Sequence, residues 1–296
     1  MKSKPASSPR RPPAYFGLTP AESAYETSLF VVLPVPFGGT VTYGRGTERG
    51  PEAIRTASQQ VELFDEETRA EPFKAGIHSA PAVSCARVGA GEVVRRVAAR
   101  VERYLEDGKF VVTLGGEHSI SPGATGPYSR RFPGLTIVHL DAHSDLRESY
   151  HGSRNNHACA GARMLEHGRL VQLGIRSQCP EERELIDRGD VWTLFAYQMQ
   201  EGDWAPRVLE QVPPGGPVYV SIDLDYFDSS LMPATGTPEP GGGQWYPTLQ
   251  FMKALSAHAR VVGFDLMELA PIRGMHAPDF LAARLFYKLL GYFLPR

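Results

Sequence analysis

Three short stretches of this 296-residue chain concentrate imidazole and carboxylate groups at regular spacing. They are Gly115-Gly116-Glu117-His118-Ser119, Asp141-Ala142-His143-Ser144-Asp145 and Asp223-Leu224-Asp225. In extended chain, residues two apart point to the same side. Asp141, His143 and Asp145 can therefore aim at one spot, and Asp223 and Asp225 likewise. With His118 the set holds four carboxylates and two imidazoles, more than the three or four side chains of an ordinary tetrahedral zinc site. Six such ligands suit two divalent ions that share bridging carboxylates. Charge points the same way, because four converging aspartates without a cation repel and cannot all stay ionised. Taken singly, a pair such as Asp223 and Asp225 is as consistent with a helix cap or a loop bond. The joint placement of all three stretches is what points to a site.

Five of the nine histidines lie between residues 118 and 157. His139 sits inside an apolar run and reads as a hydrogen-bonded core residue. His151 and His157 lie in a Gly/Ser/Asn loop, Tyr150-His-Gly-Ser-Arg-Asn-Asn-His157, just beyond the second stretch. A loop at the mouth of a site is where substrate is handled, although a lone loop histidine is more often simply solvated.

The elements that must position these groups are legible as well. Apolar, β-rich runs occur at Leu29–Val35, Phe110–Leu114, Leu135–Leu140, Leu170–Ile175, Val191–Phe195, Pro217–Ile222 and Arg260–Leu266. Helical patterns fall between them at Pro51–Leu63, Glu92–Glu106, Glu181–Arg188 and Thr248–His258, and another closes the chain at Ala277–Leu294. The strand runs are apolar almost throughout, as expected when helices cover both faces of a parallel sheet. Alternation of strand and helix predicts a three-layer α/β fold. In such sheets ligands bind beyond the carboxyl ends of the strands, and each of the three stretches directly follows a strand.

Composition narrows the function classes. Thirty-one basic against 33 acidic side chains give a formal charge of −2, without the basic excess of a nucleic-acid binder. No stretch approaches the ~18 apolar residues of a membrane span. Cys85, Cys159 and Cys179 are odd in number and far apart, which argues against a disulfide framework and suits a reducing cytosol. Residues 1–13 are basic, acid-free and Pro/Ser-rich, without the apolar centre of a secretory signal, and are expected to be a disordered tail. Residues 14–296 show no break in composition and are expected to form one domain.

On these motifs the chain resembles the ureohydrolase family, the arginase and agmatinase group, and agmatinases in particular. Gly115–Ser119, Asp141–Asp145 and Ser221-Ile-Asp-Leu-Asp-Tyr-Phe-Asp228 resemble its three metal signatures. Pro233-Ala-Thr-Gly-Thr-Pro238 with Gly241-Gly242 resembles its substrate loop, and Asp265-Leu-Met-Glu-Leu-Ala-Pro271 its final motif. The likeness runs from about Val31 to the C-terminal helix and takes in Gly50-Pro-Glu-Ala-Ile-Arg55. It implies hydrolysis of a guanidino group to urea and an amine, on a sheet of eight mainly parallel strands. It also implies that His118, Asp141, Asp145 and Asp223 hold one metal and His143, Asp141, Asp223 and Asp225 the other. His157 matches the family's catalytic loop histidine, while Glu268 and Thr237 match residues that contact the guanidinium. A trimer or hexamer is implied too.

Those roles are chemically sensible. A guanidinium stays protonated up to a pKa of ~12.5 and is a poor electrophile. Two divalent ions can bring a bound water toward ionisation near neutral pH, as one zinc does, and Asp145 can orient it. Glu268 can pair with the planar guanidinium through two hydrogen bonds, and His157 can carry a proton to the leaving amine. The oxygen-rich ligand set suits manganese, with nickel the main rival and cobalt or zinc able to bind.

Agmatine is the expected substrate, giving putrescine and urea, because Arg176-Ser177-Gln178-Cys179 lacks the acids that arginases place after the corresponding strand. Two features favour a guanidino acid instead. Ser153 and Asn155 keep an arginase-like Ser-x-Asn-x-His spacing suited to a carboxylate, and Arg147 and Arg154 stand nearby. Ser229 and Ala158 depart from the commonest family residues. The alternatives are a ureohydrolase for guanidinobutyrate, guanidinopropionate, arginine or guanidine, a single-zinc deacetylase-like enzyme, and a non-catalytic binding protein.

Overall fold

Strands that are apolar on both sides need cover on both faces, and the chain supplies it. The computed structural model describes residues 13–295, so the tail expected over residues 1–13 lies outside the described residues except for Pro13. Eight strands are present: β1 (Phe30–Val35), β2 (Ile77–Ser79), β3 (Phe110–Gly115), β4 (Thr136–Leu140), β5 (Arg169–Ile175), β6 (Trp192–Phe195), β7 (Pro217–Asp223) and β8 (Arg260–Met267). All pair in parallel in one sheet of order β2-β1-β3-β8-β7-β4-β5-β6. The helices are α1 (Gly50–Ser58), α2 (Ala90–Glu106), α3 (Ser121–Arg131), α4 (Ala160–Leu165), α5 (Pro180–Asp187), α6 (Ala205–Leu209), α7 (Trp245–His258) and α8 (Ala277–Tyr292).

Successive residues of each strand go to opposite faces. Phe30 and Val32 of β1 join Val112, Val220 and Phe264 under α1, α7 and α8, which contribute Ile54, Leu255, Phe286 and Leu289. Val31 and Leu33 of the same strand join Val111, Ile137 and Tyr219 under α2, α3 and α4, which contribute Val93, Val97, Tyr128 and Met164. Each such fully buried aliphatic or aromatic side chain contributes roughly 1.5–3 kcal/mol of transfer free energy. The two apolar layers confirm the three-layer α/β arrangement expected from the strand runs. No helix among the described residues is long and apolar enough to cross a membrane.

The departures from expectation have local causes. The edge strand β2 was not anticipated, since three residues give no periodicity to read; it is held by pairing with β1. Helix α3 has the sequence Ser-Pro-Gly-Ala-Thr-Gly-Pro-Tyr-Ser-Arg-Arg, whose prolines and glycines oppose a helix on propensity. Tertiary packing overrides that: Gly123 lies so close to α2 that a Cβ there would stand 2.5 Å from the Val94 carbonyl oxygen. Helix α1 stops at Ser58, short of Leu63, and α8 at Tyr292. The short α4 and α6 were not anticipated either.

Candidate active site

Strands β3, β8, β7 and β4 are adjacent at the centre of the sheet, and each ends in a chemically loaded turn. From β3 the chain enters a 3-10 turn at His118. It can do so because Gly116 passes against the loop after β1, where a Cβ would lie 2.0 Å from the Phe37 carbonyl oxygen. Asp141 follows β4, and its Oδ1 accepts the His143 amide at 2.6 Å. Asp223 ends β7, and its Oδ1 accepts the Asp225 amide at 2.8 Å. The two-residue spacing thus lets each aspartate brace its own turn while keeping a second oxygen for the site. Glu268 follows β8 at φ 66°, and Asp145 sits at φ 52°. Both are left-handed conformations that a non-glycine residue adopts at a cost of order 1–3 kcal/mol.

The six expected ligands are brought together. His118 Nδ1 lies 3.1 Å from Asp141 Oδ2, 3.1 Å from Asp223 Oδ2 and 3.9 Å from Asp145 Oδ2. His143 Nδ1 lies 3.0 Å from Asp225 Oδ2 and 3.5 Å from Asp141 Oδ1. Donors that share one ion at about 2.0–2.2 Å stand about 3 Å apart, so these separations fit metal ligation. Asp141 faces both groups, one oxygen to each, as a bridging carboxylate would.

The imidazoles are oriented from behind. His118 Nε2 is 2.9 Å from Ser221 Oγ, whose hydroxyl donates to Asp265 Oδ1 at 2.8 Å. That chain leaves the Nδ1 lone pair for the carboxylate side, the outer support usual for metal-binding histidines. His139 is wholly buried, with Nδ1 3.0 Å from Gln172 Nε2 and Nε2 2.8 Å from Asp141 Oδ2. It therefore donates to Asp141 and keeps the character of a hydrogen-bonded core residue.

Electrostatics supply an independent test of fit. Burial pushes the Asp145 carboxyl well above its usual range, reinforced by Asp141. Burial does the same to Asp223, reinforced by Asp225 and Asp141, and to Glu268, reinforced by Asp223 and Glu117. These acids are short of positive charge, which divalent ions and a cationic substrate would supply.

Beside the cluster lies a cavity of about 240 Å³, lined by His143, Asp145, Asp223, Asp225, His157, Thr237 and Glu268 among others. Glu268 Oε1 accepts the His118 amide at 2.6 Å, which fixes the carboxylate over the metal-side turn. Burial, and then the charge of His143, lowers the His157 pKa to about 4. Arg147 also lines the cavity, its guanidinium 5.0 Å from the ring centre of Tyr150.

Other residues singled out by spacing point elsewhere. Arg154 is paired with Glu148 at 2.9 Å and Glu166 at 3.1 Å, outside the cavity. Ser153 and Asn155 do not line it. The Ser153 hydroxyl accepts the Asn155 amide at 3.1 Å, and the Asn155 side chain lies against Gly91 at the start of α2. The Ser153 hydroxyl is thus engaged by the loop's own backbone, and the Asn155 side chain is turned to α2 instead of to the cavity.

The structure also adds residues that the motifs did not mark. Thr40, in the loop after β1, touches His157, and buried Glu117 holds Thr40. Burial raises the Glu117 carboxyl, and hydrogen bonds from Ser119 and Thr40 oppose that rise. Glu117's place inside the first loaded stretch was the available signal; nothing local marks Thr40.

Comparison with known proteins is consistent with this geometry. The sequence profile described as the Arginase family matches residues 28–291. An N(1)-aminopropylagmatine ureohydrolase of Synechocystis sp. is 38% identical over 292 residues, covering 95% of this chain and 94% of the relative. An agmatinase of Pyrococcus horikoshii is 34% identical, covering 88% and 91% respectively. The crystal structure of an agmatine ureohydrolase of Thermoplasma volcanium superposes with a TM-score of 0.84 at 32% identity, covering 93% of each chain.

Proposed function

The chain belongs to the arginase family, and we propose that it hydrolyses a guanidino substrate of the agmatine type to urea and an amine. It is a hydrolase acting on amidino C–N bonds. The observation that carries the substrate reading is a cavity lined together by His143, Asp145, Asp223 and Asp225 and by Glu268, Thr237 and His157.

His118, Asp141, Asp145 and Asp223 would hold one divalent ion and His143, Asp141, Asp223 and Asp225 a second, manganese on the hardness of the donor set. Bound there, the ions would supply positive charge to the carboxylates and lower the pKa of water toward neutrality. The chain's own side chains do the rest. Glu268 keeps Oε2 and a second lone pair on Oε1 for the guanidinium, which a planar carboxylate pairs through two hydrogen bonds. Thr237 adds a hydroxyl on the same wall. Together they hold the guanidinium carbon beside the metal-ligand carboxylates, where proximity contributes much of the rate. Asp145 orients the attacking water. The water oxygen bonds to the guanidinium carbon, the bond from that carbon to the alkyl nitrogen breaks, and the nitrogen leaves as an amine. His157 takes one of the water's protons and passes it to that nitrogen, and the second water proton follows from the new hydroxyl, leaving neutral urea and an ammonium.

The far end of the cavity supports a substrate without an α-amino acid head. After β5, the Arg176 guanidinium is spent on backbone carbonyls of Asp225 at 2.7 Å and Glu239 at 2.8 Å; Ser177, Gln178, Glu182 and Arg147 line the cavity, and the Glu182 carboxylate is spent on the Leu146 and Cys179 amides. The lack of a free acid there favours agmatine, giving putrescine, over arginine, while Arg147 on the same cavity is the feature that favours a guanidino acid. A second reading, the N(1)-aminopropyl derivative of agmatine, is favoured by the name of the Synechocystis relative and its 38% identity.

Urea release should be measured with agmatine, N(1)-aminopropylagmatine, arginine, 4-guanidinobutyrate, 3-guanidinopropionate and guanidine, with metal content determined on the same preparation. The expected result is two metals per chain and urea from the first two compounds, their kcat/KM ratio choosing between them. Urea from the acids alone would remove the substrate class and leave the chemistry. A single zinc per chain without urea would favour a deacetylase-like enzyme.

A further inference from the structure

We propose that Thr40, held by Glu117, is a positioning residue that fixes the ring orientation and tautomer of His157. The consequence for turnover rests on the reading of His157 as the proton carrier; the tautomer itself does not.

The geometry leaves little freedom. Thr40 Oγ1 lies 3.1 Å from the His157 backbone nitrogen and 3.1 Å from its Nδ1. The same oxygen lies 2.6 Å from Glu117 Oε1, and the Thr40 amide donates to Glu117 Oε2 at 2.6 Å. Glu117 is completely buried and accepts a further bond from the Ser119 hydroxyl. A threonine hydroxyl has one proton and two lone pairs. Glu117 accepts at Oε2 from the Thr40 amide and at Oε1 from the Ser119 hydroxyl, so it is placed as an acceptor and takes the Thr40 proton as well. Both lone pairs then accept from His157, one from its backbone N–H and one from its ring. Nδ1 must therefore carry the ring proton, and Nε2, on the opposite edge of a ring that lines the cavity, keeps its lone pair.

That arrangement suits a group that must take up a proton and pass it to a substrate nitrogen. A ring free to turn or to hold its proton on Nε2 would present the wrong edge. Thr40 does not itself line the cavity, and it reaches it through His157. The contact also ties the loop after β1 to the loop after β4 across 117 positions of sequence.

The test uses the full metal-loaded enzyme with Thr40→Val, which keeps shape but removes the hydroxyl, and Thr40→Ser, which restores it. Long-range ¹⁵N–¹H NMR of histidine-labelled protein, assigned with His157→Asn, reads the tautomer directly. Wild type and Thr40→Ser should show the proton on Nδ1, and Thr40→Val a shift toward Nε2. In urea release, kcat of Thr40→Val should fall about 10–100-fold, part of the range of general acid–base catalysis. KM should stay within about threefold, and Thr40→Ser should recover most of the loss. A wild-type proton on Nε2, or an unchanged tautomer in Thr40→Val, overturns the proposal. So does a Thr40→Val defect confined to KM. Wild-type turnover by His157→Asn would instead remove the proton-carrier reading, with the tautomer result still standing by itself.

Discussion

Two clusters of charge in this molecule are centred on buried groups, and they are built on opposite plans. Where α8 meets the loop after α1, Lys288 lies 2.8 Å from Asp65, 3.0 Å from Glu66 and 3.4 Å from Glu67, and its side chain is only 4% exposed. Burial alone would raise Asp65, but hydrogen bonds from Lys288 and from Thr68 hold its carboxyl below the ordinary value. At the ends of the central strands Asp145, Asp223 and Glu268 are instead pushed well up by burial and by neighbouring acids, and only Asp141, where hydrogen bonds from His118, His139 and His143 outweigh burial, is held well below its usual range. The difference is what separates a structural cluster from a working one. In the first the chain brings its own cation; in the second it gathers acids and leaves the matching charge to be bound.

The sharpest break of that comparison is removal of a shared acid. Asp141→Ala should lower urea release by at least about a thousandfold, roughly 4 kcal/mol of barrier, and reduce bound metal in the same sample. Retention of both metal and turnover would refute a bridging Asp141. Asp223→Asn separates charge from function more finely. It should abolish turnover too, yet raise the melting temperature of chelator-treated protein, because one of several mutually repelling buried acids is gone. A drop in that melting temperature would mean that the cluster is already matched within the chain.

The opposite cluster should answer in the opposite way. Lys288→Met keeps the length of the side chain and removes its charge, leaving Asp65 buried without its nearest partner. Breaking a buried pair typically costs about 3–5 kcal/mol, to be read from denaturant unfolding, while kcat/KM should stay within about twofold. An unchanged stability would show that Arg284, 3.9 Å from Asp65, takes over the pairing, and the two clusters would then differ less than their geometry suggests.

Legibility in the sequence follows the range of the cause. The strands that carry the site could be read because each is an uninterrupted apolar run, and the acids and histidines because they crowd just past those runs. β2 could not be read, since its only support is a neighbouring strand. Neither could α3, whose prolines and glycines speak against the helix that contact with α2 imposes. Within the site, Glu117 was visible as part of a motif, but its task is set by Thr40, 77 positions away. Ser153 and Asn155 show the converse: the Ser153 hydroxyl is taken by a backbone amide of its own loop and the Asn155 side chain lies against α2. Lys288 looks misplaced in an apolar helix until the acids of the loop after α1 are seen against it.

The smallest expected effect concerns how acid reaches the matched cluster. The folded-state pKa of Asp65 lies below its ordinary value, so the folded state binds fewer protons there than the unfolded chain does. Its contribution to stability is then fully present above the unfolded pKa of about 3.9 and is lost as pH falls through the folded value. Lys288→Met removes the interaction that sets this displacement, so the difference in denaturation midpoint between wild type and variant is itself a titration of the pair. Measured on chelator-treated protein, that difference should shrink as pH falls, starting at the raised pKa that burial gives Asp65 without Lys288 and ending below the lowered value it has beside Lys288. A gap that holds constant down to pH 3, or widens, would mean that Lys288 acts through packing of its aliphatic stem and not through the Asp65 carboxylate. The contrast between a matched and an unmatched cluster would then lose its first half.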